Sequence, residues 1–382
     1  MTAPDSWEYR QPTRVVAGPG TLAELDDLAS GRVLLVTTPG TTKRGLTARV
    51  VDLIGMDRVV IHDHVATNPT LDRLDRSIDD LRGERVDCIV ALGGGSALDT
   101  GKVLSVALTI PDLKARDLAA AALPSQAPHV PLVAVPTTGG TGSEVTPFAT
   151  LWDADAGKKL SLAGAAVLPD AAVVDPTLTL GVCWDVTLSS GLDAYVQCFE
   201  AIWNRNATPV TSALAEAGLR LVPEALLRLR DAPGSLEARV QMAHAALFSG
   251  LAISHTRTAL AHSMSYPLTS RLGIPHGLAC AIVFPAVLEF NLEADDGRLG
   301  EVARRLGLAA ADELLRDVLD LYNELGVDRL VVERGVVADF GSLAEEMLTP
   351  ARADNNLRSA DLDDVRAILA RTANRLGVGV AR

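Results

Sequence analysis

A carboxylate, an amide and two imidazoles are the side chains of this sequence whose types and spacing could hold a metal ion. Asp193 and Gln197 stand four residues apart in a helical pattern, so their side chains share one face. His262 and His276 are fourteen apart, the second in Ile274-Pro275-His276-Gly277 at a loop-to-helix junction. Carboxylate oxygen, amide oxygen and two ring nitrogens suit a borderline ion such as Fe2+ or Zn2+. Taken singly, each histidine reads more readily as a hydrogen-bonded core residue than as a ligand. A second chemistry is written in glycine. Gly93-Gly94-Gly95-Ser96 and Thr137-Thr138-Gly139-Gly140-Thr141-Gly142-Ser143 each end an apolar run. Bare backbone of that kind, opening a helix, approaches a pyrophosphate closely. The first segment is neither the GxGxxG fingerprint, since Leu98 takes the last glycine's place, nor a Walker loop. One such junction could be a turn without a ligand. Two on one sheet are hard to explain as turns alone.

The elements that must position these groups follow from the apolar pattern. Arg32–Thr38, Arg58–His62, Val86–Leu92, Leu132–Pro136 and Ala172–Asp175 are Val-, Ile- and Leu-rich, as strands buried on both faces are. Amphipathic stretches such as Leu71–Arg82 lie between them and set a βαβ rhythm, hence a mostly parallel sheet. Ligands bind such sheets at the carboxyl ends of strands. Beyond residue 180 helical periodicity takes over, in Ser189–Asn204, Pro209–Leu229, Ser235–Ile253 and Gly277–Leu292, with more after Asp296. The expected architecture is an α/β nucleotide-binding domain over 1–180 and an all-helical metal and substrate domain over 181–382. The Ala-rich stretch 119–122 reads as a helix end or loop.

Composition narrows the function further. A chain of 382 residues is long for one core, and 48% hydrophobic with 22% charged residues is a globular balance. Aromatics are only 4%, so Ala, Leu and Val must fill the core. A net charge of −13 disfavours nucleic acid and anionic membrane as partners, though a local basic pocket could still take a small anion. Met1–Arg10 lacks the apolar stretch of a signal peptide, and no run of about eighteen apolar residues suggests a membrane span. Cys88, Cys183, Cys198 and Cys280 lie far apart without paired spacing, which predicts buried free thiols and a cytoplasmic setting.

From about Thr13 to its end, the sequence resembles the group III, iron-containing alcohol dehydrogenases. The landmarks are Asn68-Pro69-Thr70, GGGSALDTGK over 93–102, PTTGGTGSEVT over 136–146, Leu168–Pro176, Gly191-Leu192-Asp193-Ala194 and Pro275-His276-Gly277. The resemblance implies a dehydroquinate synthase-like fold, an NAD(H) or NADP(H) cofactor and a divalent metal, Fe2+ or Zn2+. It also implies a homodimer as the expected assembly. Carried over by position, Gly94, Gly95, Ser96 and Asp99 would meet the diphosphate and its ribose, with Thr137, Thr138, Thr141 and Thr146 from the second loop. Asn68, Lys159 and Val186 would also face the cofactor. Asp193, His262 and His276 match three of four metal ligands. The fourth is usually His, and Gln197 stands there. Tyr266 replaces a further family His, and Thr38 replaces the acid that usually holds the adenosine ribose. With Lys43 and Arg44 nearby, a 2′-phosphate is as acceptable as a hydroxyl.

The substrate is written in charge. Arg257, with His255, precedes the ligand His262, and Arg205 follows the Asp193 helix. A guanidinium fork suits carboxylate or phosphonate oxygens, although either arginine could serve as a surface residue. The string His262–Thr269 with Pro275–Cys280 resembles the branch that reduces phosphonoacetaldehyde to 2-hydroxyethylphosphonate. The expected reaction is therefore hydride transfer to a small anionic aldehyde in an interdomain cleft. The metal would polarise the carbonyl, and Tyr266, His255 or a water would deliver the proton. The rivals are a general alcohol or diol dehydrogenase, a lyase of the dehydroquinate synthase kind, and a non-catalytic protein with a degraded metal site.

Overall fold

Apolar runs without polar alternation need cover on both faces, and a parallel sheet between helices supplies it. The computed structural model describes residues 6–120, 127–333 and 341–377. The strands are β1 (Arg14–Ala17), β2 (Val33–Thr37), β3 (Val59–His62), β4 (Cys88–Gly93), β5 (Leu132–Pro136), β6 (Phe148–Asp153), β7 (Lys158–Ala163) and β8 (Ala171–Val174). Six of them form one parallel sheet in the order β1-β8-β5-β4-β2-β3, and β6 and β7 form an antiparallel hairpin. Every residue of β2, β4 and β5 is buried.

All five anticipated strands lie in the sheet. The four-residue β1 and the hairpin were not anticipated. β1 is an edge strand, too short to show a pattern, and the hairpin follows directly on the second glycine-rich loop. Helix α1 (Leu71–Leu81) buries Leu71, Leu74, Ile78 and Leu81, a single stripe at helical spacing. Helix α2 (Gly95–Ala107) starts where β4 ends, which puts the first glycine-rich segment at a strand-to-helix junction. The Ala-rich stretch closes the helix Ala115–Ala120, and its last two residues lie outside those described, as do residues 1–5 of the N-terminal stretch.

The chain divides into two compact units, residues 10–182, and Cys183 onward with the described residues up to Tyr9. The second unit is helical. It contains α3 (Trp184–Trp203), α4 (Pro209–Asp231), α5 (Leu236–Thr256), α6 (Leu260–Leu272), α7 (His276–Leu292) and, near the end, α8 (Leu362–Leu376). From Gly191 to Trp203 every residue of α3 is buried, because α4, α5 and α7 pack around it. Helix α6 carries His262 and was not anticipated. Pro267 sits inside it, within a string rich in serine, and both obscure helical periodicity. Cys88, Cys198 and Cys280 are buried as expected, but Cys183 is exposed, just ahead of α3. Among the described residues no helix is long and apolar enough to cross a membrane.

Candidate functional site

The helical unit builds its donor cluster on one face of α3 and braces it from the other. Asp193, Gln197 and Glu200 fall at i, i+4 and i+7, one face, and all are buried. The opposite face carries Tyr195, Phe199 and Trp203, whose rings pack with Phe284 of α7 at centroid separations of 5.0 to 6.4 Å. The scarce aromatics are thus concentrated where they lock the rotation of the donor-bearing helix.

Glu200 is the residue that spacing did not single out. Its Oε2 accepts the Ala259 N–H and the Nδ1–H of His262, both at 2.7 Å, and its Oε1 accepts the His262 backbone N–H at 3.2 Å. No side chain of α6 caps its own start, so a carboxylate from α3 does so, where the helix dipole favours it. With Nδ1 as donor to Glu200, His262 turns its Nε2 toward Asp193 Oδ1, 3.2 Å away. That contact needs a positive charge between the two atoms, a proton on the imidazolium or a metal ion in its place. Burial alone would lower the pKa of His262, but Cys280, Glu200 and Asp193 together raise it well above the ordinary histidine value. The pocket is built to hold a cation, and a divalent metal suits it.

His276 opens α7 beside this pair. A Cβ on Gly277 would fall 1.9 Å from the Ser189 carbonyl oxygen and 2.8 Å from the Asp193 Cβ, so only glycine lets α7 start this close to α3. One turn on, Cys280 Sγ lies 4.0 Å from His276 Nε2. Asp193, His262, His276 and Cys280 each offer one donor atom, all within 4.8 Å of one another. The reading of Cys280 as merely a buried free thiol is therefore incomplete. Burial pushes that thiol up, yet His262 and His276 draw it down to about 6. The His-x3-Cys spacing of 276 and 280 is the signal that could have found it. Gln197 shares the Asp193 face, and its Oε1 accepts the Ser249 hydroxyl at 2.9 Å.

The Tyr266 ring is buried and lies 6.1 Å from that of His276, nearly parallel to it. His255 stacks on Tyr9 at 4.2 Å, with Nδ1 2.8 Å from Ser254 Oγ. Arg257 follows α5 with φ 62° and ψ −179°, a backbone region that is essentially glycine's own and costs about 1–3 kcal/mol. Its carbonyl accepts Asn204 Nδ2 at 3.2 Å and the Thr256 hydroxyl at 2.8 Å, which pins this conformation. The guanidinium reaches solvent, and desolvation with the nearby Arg352 lowers its pKa. Arg205 is different. It is exposed and donates to Ser359 Oγ at 2.6 Å, not to the buried cluster.

In the sheet unit the two glycine-rich segments meet. No side chain caps α2 at Gly94, which leaves the helix N-terminus open to an anion. A Cβ on Gly94 would come within 3.2 Å of Thr138 Oγ1, and one on Gly95 within 2.9 Å of Thr141 Cγ2. Glycine here keeps the first loop against the threonines of the second. Asn68, at φ 54°, donates its N–H to Ser96 Oγ at 3.1 Å, and Thr137 donates its N–H to the Gly93 carbonyl at 2.9 Å. Asp99 accepts Ser143 Oγ at 2.7 Å and Thr150 N at 2.8 Å, with lone pairs left for a ribose hydroxyl. These open donors around a bare backbone fit a dinucleotide.

Other expected cofactor residues have partners within the protein or lie at its surface. Thr146 is buried and bonded to Lys102, whose Nζ donates to the Thr146 carbonyl, the Thr146 hydroxyl and the Phe148 carbonyl at 2.8–3.1 Å. Arg44 donates to Thr137 Oγ1 at 2.9 Å and to the Leu178 carbonyl at 3.1 Å. Thr38 follows β2 and caps the short helix Pro39–Lys43 through Thr41 N. Lys159 lies on β7 opposite Trp152, and Val186 is exposed at the start of α3.

Comparison with known proteins adds the rest. Residues 12–176 match the family described as iron-containing alcohol dehydrogenase, and 187–373 match the Fe-containing alcohol dehydrogenase family, C-terminal. A phosphonoacetaldehyde reductase of Streptomyces viridochromogenes is 36% identical over 357 residues, 88% of this chain and 89% of that protein. A 1,3-propanediol dehydrogenase of Klebsiella pneumoniae is 30% identical over 380 residues, 95% and 97% of the two chains. The structure of sulfoacetaldehyde reductase from Bifidobacterium kashiwanohense in complex with NAD+ superposes with a TM-score of 0.88 at 29% identity, over 97% and 99% of the two chains.

Proposed function

The chain belongs to the iron-containing alcohol dehydrogenase family, and on that footing we propose that it reduces a short aldehyde bearing a tetrahedral oxyanion, phosphonoacetaldehyde to 2-hydroxyethylphosphonate, with NADH. Alcohol dehydrogenase and aldehyde reductase chemistry, with a nicotinamide dinucleotide and a divalent metal, is that of the family. The observation that carries the anionic substrate is Arg257: a long charged side chain held in a glycine conformation, two residues before the Ala259 N–H that Glu200 anchors. Strain of this kind clusters at sites where it serves function. Two of the similar proteins, a phosphonoacetaldehyde and a sulfoacetaldehyde reductase, are named for acetaldehydes carrying such a group. The reading of Arg205 as a second clamp is not kept, because its guanidinium is engaged with Ser359. NADH is favoured because Arg44 is turned onto Thr137 and Leu178.

When bound, the nicotinamide supplies a hydride and the metal a Lewis acid that polarises the carbonyl. Asp193, His262 and His276 would hold the metal, with Gln197 at the family's fourth position as a weak ligand or a spectator. Glu200 keeps the proton of His262 on Nδ1, so that Nε2 is the donor atom. Arg257 binds and orients the oxyanion of the substrate, which places its aldehyde end. The product oxygen needs one proton, and Tyr266 Oη is assigned to relay it, with His255 as the other relay.

The test is kcat/KM for phosphonoacetaldehyde, succinate semialdehyde and propanal in the wild type and in Arg257→Ala. One charge-assisted partner is worth about 1.5–3 kcal/mol, so the anions should lose roughly ten- to a hundred-fold while propanal is nearly unchanged. Equal or better turnover of propanal by the wild type would overturn this reading in favour of a neutral alcohol or diol, the class named in the Klebsiella relative.

A further inference from the structure

We infer that the fourth protein donor to the metal is the sulfur of Cys280, with the Gln197 amide outside the coordination shell. This rests on the metal-dependent reading of the site. Cys280 is fully buried and stands one turn after His276 on α7, so that both side chains leave the same helical face. Its Sγ joins the Asp193 oxygen and the two imidazole nitrogens in a set whose members all lie within 4.8 Å of one another. Tetrahedral bonds of about 2.0–2.3 Å put donor atoms about 3.3–3.7 Å apart. The distances of 3.2 Å between His262 and Asp193 and 4.0 Å between Cys280 and His276 bracket that range.

The other thiols do not compete. Cys183 is exposed, Cys88 lies in β4 of the other unit, and Cys198 packs against Gly218. Gln197 is the weaker candidate by its chemistry. Its amide oxygen is neutral and already accepts the Ser249 hydroxyl. A thiolate is a charged, polarisable donor and outcompetes an amide for Zn2+, Co2+ or Fe2+. On metal uptake the one proton shared by the Cys280 sulfur and its imidazole neighbours leaves to the buffer and the Sγ–metal bond forms, with no change of oxidation state. A site with sulfur should favour Zn2+, Co2+ and Cd2+ over Mn2+ and Mg2+ more strongly than one built from nitrogen and oxygen alone.

Cobalt makes the sulfur visible. The full-length enzyme, stripped with a chelator and titrated with Co2+, should bind one ion per chain and develop the near-ultraviolet thiolate-to-cobalt charge-transfer band beside the visible d–d bands. Cys280→Ser should keep the d–d bands and lose the charge-transfer band. Its Cd2+ affinity, read by competition with a chromophoric chelator, should fall about tenfold or more while Mn2+ affinity changes little. Gln197→Ala should retain the band. One bound cobalt without the band in the wild type, or a band that survives Cys280→Ser, would overturn the assignment and leave metal dependence standing. No cobalt bound at all would remove the metal reading itself, and the cysteine assignment with it.

Discussion

Glu200 holds His262 twice, by the ring Nδ1 at 2.7 Å and by the backbone N–H at 3.2 Å, so one carboxylate sets both the start of a helix and the tautomer of the histidine on it. Helix capping and imidazole orientation are therefore the same interaction. Neither can be altered alone.

Glu200→Gln should expose that coupling. An amide has one acceptor oxygen and must turn its NH2 toward a group that is itself a donor, so at least one of the three bonds is lost and the hold on His262 weakens. Orienting partners of this kind are worth about ten- to a hundred-fold in metal affinity. Zn2+ affinity by chelator competition, with circular dichroism as the control for folding, is the measurement. Unchanged affinity would mean that something other than Glu200 fixes the imidazole.

At the cofactor loops the expectation concerns Thr141. A Cβ on Gly95 meets Thr141 Cγ2 at 2.9 Å, so Gly95→Ala should push the two loops apart. Overpacking costs about 1–3 kcal/mol, equivalent to a rise of roughly ten- to a hundred-fold in the NADH dissociation constant if the loops bear it. Titration of cofactor fluorescence reads it. Adding Thr141→Ser deletes the clashing methyl and should restore most of the affinity. No rescue would mean that the new side chain obstructs the pyrophosphate directly.

Lys102 predicts a pH dependence of stability. Burial holds its pKa down at about 8, against 10.5 for an ordinary lysine, although Asp99 and Glu144 pull it back up. Between those two values the unfolded chain binds more protons than the folded one, so unfolding free energy rises with pH across that window. Below pH 8 both states are protonated and the cost of burying the charge is fully present. The unfolding free energy of the wild type minus that of Lys102→Met should thus increase from pH 8 to 10.5, by on the order of 3 kcal/mol. Urea melts at several pH values give the difference. A flat difference would show that the buried ammonium is solvated as well as an exposed one.

The sheet and most of the donor set were legible because each depends on local pattern. Residues 33–36, Cys88–Gly93 and Leu132–Pro136 are apolar throughout, and a strand buried on both faces has no other spelling. Asp193 and Gln197 share a face by spacing, and the two histidines gained meaning from the family resemblance. Glu200 was not legible, since an acid near the end of a helix usually faces water. Its role arises only when α6 docks, across 62 residues of sequence. Arg257 shows the converse: its charge was visible in the sequence, while its backbone conformation was not, since nothing in the residue type calls for positive φ.

That conformation sets backbone ease against the anion-binding role proposed for the side chain. Glycine at 257 adopts φ 62° without penalty, so Arg257→Gly should relax about 1 kcal/mol or more of strain, offset in part by the greater freedom of glycine in the unfolded chain. The variant should melt no lower than the wild type, and turn over anionic aldehydes at least as poorly as Arg257→Ala. Selection for stability alone would drift toward glycine at this position. On the proposed reading, that strain is the cost of holding a guanidinium where the anion binds.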